Sequence, residues 1–134
     1  MPDNPHVALA FYRLEKAEDC YLAAQKLLES GLLRDSANRS YYAIFHAVRA
    51  VLALDQVDFK KHSAVISYFQ QYYIKEKKFD VRFSNYVRDA FSVRQQCDYD
   101  DFFVIADREV KLQLDHAREL LDAVASFLNS QSMA

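Results

Sequence analysis

One glycine and two prolines in 134 residues leave this chain few means of making tight turns. Sandwiches and barrels of short strands turn often, and their turns draw on Gly and Pro. The chain is therefore read as a few long helices joined by short connections. Hydrophobic residues make up 51% and charged residues 27%, a globular balance that suits a single domain over residues 1–134 with one core.

The spacing of apolar residues places the helices. Asn4 before Pro5 is a helix start, with a capping side chain followed by a proline preset for the first turn. Val7, Phe11, Leu14, Ala17, Tyr21, Ala24 and Leu28 then follow at helical spacing. Gly31 stands where a left-handed cap would close a helix over about residues 5–30. A second helix is expected over 34–54, with Ala37, Tyr41, Ile44, Val48, Val51 and Leu52 inward. A third, over 62–74, buries Val65, Ile66, Phe69 and Tyr73. A fourth, over 80–97, buries Phe83, Val87, Ala90 and Phe91. Asp107 is read as the cap of a fifth helix, in which Val110, Leu114, Ala117, Leu121, Val124 and Leu128 step by four and three. The last residues, SQSMA, read as a frayed tail. The fold class is all-α: an up-and-down antiparallel bundle of four main helices and a shorter one.

Several functions are disfavoured at once. The net charge of −2 advertises no broad nucleic-acid surface, so any RNA contact must be local. No run of about 18 apolar residues suggests a membrane span. Cys20 and Cys97 lack metal-ligand spacing, and with no secretory signal they read as reduced thiols of a cytoplasmic protein. There is no phosphate loop, dinucleotide fingerprint, HExxH or nucleophile elbow, and His6, His46, His62 and His116 are scattered. No metal and no cofactor are expected. Nine tyrosines and ten phenylalanines are many for a domain this size; the plainer reading is that they fill the core, and the alternative is that some serve a partner.

Two constellations carry chemistry. In NRSYYAIFHAVRA, residues Arg39, Tyr42, His46 and Arg49 share one face of the second helix, a cationic groove suited to a phosphate. The plainer reading is two solvated arginines and a hydrogen-bonded boundary histidine. In VRQQCDYDDFF, residues 93–103, Arg94 is followed by Asp98, Tyr99, Asp100 and Asp101. Acids oppose the negative end of a helix, so the fourth helix is expected to stop near Cys97 with the acids in the turn. The plainer reading there is that Arg94 caps the helix above solvated aspartates. Lys60, Lys61 and His62 form a small basic spot that could touch a phosphate; the plainer reading is a solvated helix start.

Taken together, NRSYYAIFHAVRAVL, KKHSAVISYF and RQQCDYDDF before a final long helix resemble the HEPN-domain proteins (higher eukaryotes and prokaryotes nucleotide-binding), over about residues 8–128. The nearest branch is the small stand-alone prokaryotic one. The resemblance implies a bundle that dimerises and is paired, in a toxin–antitoxin arrangement, with a small nucleotidyltransferase. It also implies binding of nucleotide or RNA and, in many members, metal-independent ribonuclease activity. Its motif is an arginine followed after four to six residues by a histidine, and a tyrosine just after that histidine is nucleotidylated in some members. Arg94 matches the arginine, but Tyr99 stands in the histidine's place and no histidine follows before His116. Cleavage needs a base and a cation. Arg94 supplies the cation, with Asp98, Tyr99 or His46 as the remaining candidates, and Arg39, Tyr42, Arg49 and Asp100 as binding residues. Tyr99 is the candidate modification site. Three functions remain open: a nucleotide- or partner-binding module, a ribonuclease toxin, and a dimeric scaffold without chemistry.

Overall fold

The computed structural model describes residues 4–132. Its elements are α1 (Pro5–Glu29), α2 (Leu33–Ala53), α3 (His62–Phe69, continued by a wider π turn over Gln70–Ile74), α4 (Arg82–Tyr99) and α5 (Asp107–Ser132). No strand occurs among the described residues.

Asn4 caps α1 through its side-chain oxygen, which accepts from the His6 amide at 2.8 Å. Gly31 closes the same helix at φ +77°. The Leu32 amide reaches Leu27 O at 2.9 Å and the Gly31 amide reaches Leu28 O at 3.0 Å, the paired bonds of a Schellman cap. With only residues 30–32 between them, α1 and α2 pack along their length, which requires an antiparallel pair.

Helix α2 is the centre of the molecule and touches α1, α3, α4 and α5. Its alanines 43, 47 and 50 are wholly buried and let neighbouring backbones approach, while Tyr41, Ile44, Val48 and Leu52 fill the space between them. Two buried polar groups tie the layers together. Ser36 Oγ donates to Ala24 O at 2.7 Å, and Gln113 Nε2 on α5 donates to Ala37 O at 2.8 Å and to Ser40 Oγ at 2.6 Å. A small second core of Ala37, Ile105 and Val110 pins the connection between α4 and α5.

Four boundaries differ from expectation. Helix α4 begins at Arg82 and runs through Tyr99, past Cys97. Arg34 from the start of α2 explains its extra length: Nη2 donates to Cys97 O at 2.6 Å and to Asp100 O at 3.1 Å, placing a cation on the helix's negative end. Asp107 lies in the first turn of α5, paired with Lys111 at 2.8 Å. The tail continues α5 through Ser132, and Met133 and Ala134 lie outside the described residues.

Candidate functional site

The site forms where α2, the start of α3 and the last turns of α4 converge. Tyr41 and Tyr42 come from α2, His62 is the first residue of α3, and Arg94 and Asp98 lie one turn apart on α4. Tyr41 is wholly buried and forms the fixed rear of the site. The His62 ring stacks on Phe45, with centroids 4.0 Å apart and planes 20° apart. The Arg94 guanidinium lies over both tyrosine rings, 5.4 Å from the centre of Tyr41 and 5.7 Å from that of Tyr42.

His62 Nδ1 is 2.7 Å from the Tyr41 hydroxyl and 3.1 Å from Arg94 Nη1. A guanidinium only donates, so Nδ1 must present its lone pair and the ring proton must reside on Nε2. Burial, together with Arg94 and Arg49, lowers the proton affinity of His62 and keeps the ring neutral near pH 7. Nε2–H is thus a donor with two cations behind it, and it has no protein acceptor among the described residues. Burial also drives the Tyr41 phenol upward, so it stays protonated, and its O–H shares the single Nδ1 lone pair with Arg94.

Arg94 Nε lies 3.3 Å from Asp98 Oδ2, an ion pair without hydrogen-bond alignment, and 23% of the arginine side chain stays exposed. The fourth helix therefore does not end before Asp98; it carries the aspartate in its last turn, four residues from Arg94. Arg94 does not cap α4, because Arg34 does. Tyr99 is 82% exposed, and Asp100 ends the helix with its carboxylate accepting from the Phe102 amide at 3.0 Å.

The groove residues of α2 share a face but have separate partners. Arg39 Nη2 reaches Cys20 Sγ at 3.3 Å. Arg49 grips Asp58 through Nη2 at 2.8 Å and Nε at 3.3 Å, and Arg13 donates to both Arg49 O and Asp58. His46 stands among Arg49, Lys16, Arg39 and Arg13; burial first and these charges second lower its pKa to about 4. Its Nδ1 is buried without a partner. The histidine that bonds Arg94 is His62.

The start of α3 completes the arrangement. Its cap residue, Lys61, makes no side-chain capping bond, so the positive end of the helix stays uncovered beside His62. An uncapped helix start, a neutral imidazole donor and Arg94 all favour an oxyanion, while Arg49 is held by Asp58. Sequence periodicity could not find His62, because it places residues on a helix face but not one helix start beside another's end. The only signal was its place in the basic KKH run.

A model of the family described as "HEPN domain" matches residues 10–129. The chain belongs to the HEPN-domain family. Among similar proteins, "Putative toxin MJ0142" of Methanocaldococcus jannaschii is 31% identical over 90% of this chain and 82% of its own length. A UPF0332 protein of Thermotoga maritima is 28% identical over 92% and 93% of the two chains. "Putative toxin MJ0605", also from M. jannaschii, is 35% identical over 64% of each. In this HEPN chain the imidazole of His62 reaches Arg94, near the end of α4, from the start of α3.

Proposed function

We propose that this HEPN module binds a phosphate of RNA or of a nucleotide at the seat formed by Arg94, His62 and the start of α3. It acts there as a dimer and as the toxin-side member of a pair with a small nucleotidyltransferase. The carrying observation is the 3.1 Å contact between Arg94 and His62, which fixes an outward N–H donor beside a guanidinium. Two similar proteins with "Putative toxin" in their names support the toxin-side role. Phe102, 93% exposed, and Tyr99 supply an aromatic surface at the end of α4 for a second copy or the partner. Tyr99 is also the group the partner would modify: its exposed hydroxyl attacks the α-phosphate of ATP, releases pyrophosphate and keeps the adenylate, with the phenolic proton passing to solvent.

Binding of a labelled single-stranded RNA by the full chain tests the reading. Arg94→Ala is expected to weaken it roughly tenfold or more and to flatten its salt dependence. Equal affinity of this variant and the parent contradicts the seat.

The ribonuclease reading is favoured by the same imidazole–guanidinium contact. A base for the 2′-OH must present a bare nitrogen, however, and the Arg94 contact holds the His62 proton on the outward Nε2. Asp98 is spent on Arg94, and His46 titrates far below neutrality. Binding is therefore the better supported. RNA cleavage in chelator that disappears in both Arg94→Ala and His62→Ala reverses that order.

A further inference from the structure

A cavity of about 290 Å³ lies between α4 and α5, lined by residues that the phosphate seat does not use. Gln113 lines it and is only 7% exposed. Both amide hydrogens of Gln113 are committed, to Ala37 O and Ser40 Oγ. A carbonyl oxygen only accepts, so the contact with Ala37 O fixes the orientation of the amide. Gln113 Oε1 makes no hydrogen bond among the described residues, and the residue lines the cavity.

The charged side chains that line it are both acidic, and the Ser92 hydroxyl lies beside them. Asp89 on α4 and Glu109 on α5 border the cavity, and neither forms an ion pair among the described residues. Tyr86 and His116 also line it and stack with ring centres 3.7 Å apart and planes 7° apart. The Tyr86 hydroxyl is spent on Glu119 at 3.0 Å. Burial lowers the proton affinity of His116 despite Glu119, Asp89 and Asp115, so the ring adds no cation at neutral pH. Ala90, Val93 and Leu112 supply apolar wall.

We infer that the α4–α5 cavity binds a guanidinium group, with the fixed Gln113 carbonyl and the Asp89 and Glu109 carboxylates as acceptors and the Tyr86–His116 stack as a flat wall. A guanidinium suits it better than an ammonium, because it is planar, more weakly hydrated, stacks on aromatic rings and offers several donors in one plane. The cation is borne either on a small guanidine or on an arginine of a partner protein. The inference does not depend on the phosphate seat.

Titration of the isotopically labelled full chain, followed by NMR, tests it with two probes: agmatine and a short peptide with one central arginine. Saturable shifts are expected at the backbone amides of Tyr86, Asp89, Glu109 and His116 and at the Gln113 side-chain amide. The double variant Asp89→Asn with Glu109→Gln, which alters two exposed carboxylates, is expected to bind roughly tenfold or more weakly. Tighter binding of the peptide assigns a protein arginine, and tighter binding of agmatine assigns a free guanidine. No saturable shift with either probe, or equal affinity in the double variant, overturns the inference. Arg94→Ala should leave this binding unchanged, so failure here and failure at the phosphate seat are read separately.

Discussion

His62 and His46 are both neutral at pH 7, for different reasons and with different consequences. His62 is held neutral beside a guanidinium whose contact it accepts, so its protonation removes that bond. His46 is buried among four cations with an unpartnered Nδ1, and its pKa falls to about 4. In the unfolded chain an ordinary histidine titrates near about 6.5. Between those values the unfolded state binds a proton that the folded state refuses, so stability falls as pH drops through the window from about 6.5 to about 4. His62 and His116 contribute with the same sign. Urea midpoints measured from pH 7 downward should show this loss. His46→Leu, which removes the titrating group from the α1–α2 face, should reduce the slope, and an unchanged slope would assign the acid sensitivity to the other two.

At the scale of elements, helix ends decide more than helix middles. Gly31 shows how local chemistry sets a boundary that sequence can read. Its φ of +77° is the left-handed region, and an added Cβ would meet nothing within 4 Å. The cost of Gly31→Ala is therefore backbone strain alone, about 1–2 kcal/mol, read as a lowered unfolding midpoint with the helical signal kept. The end of α4 shows the opposite case. Acids near its C-terminus argue for an early stop, yet Arg34, more than sixty residues away in sequence, binds Cys97 O and Asp100 O and carries the helix through Tyr99. Arg34→Ala should fray that last turn at a cost of about 1 kcal/mol and loosen the Arg94–Asp98 pair, visible as faster amide exchange at residues 96–99. Unchanged exchange there would show that the turn needs no clamp.

At the scale of the whole molecule, the bundle was legible because its constraints are local. The scarcity of glycine and proline, the four-and-three apolar steps of α5 and the Asn4–Pro5 start all act within a few turns of chain. Family likeness singled out Arg94 as a candidate. The histidine beside it was not legible, because His62 comes to Arg94 only once α3 has docked against α2. His46 has the motif spacing from Arg39 on α2, with six residues between them, but stands among the arginines and lysine of the α1–α2 face. The Tyr41–His62–Arg94 cluster is thus a property of the assembled fold, with a part supplied by each of three helices. Long-range nitrogen–proton NMR of the His62 ring in the full chain tests this most directly. The expected result is a neutral ring at pH 7 with its proton on Nε2, and an Nε2–H resonance that moves when single-stranded RNA is added. A proton on Nδ1, or an Nε2–H signal indifferent to saturating RNA, would contradict it.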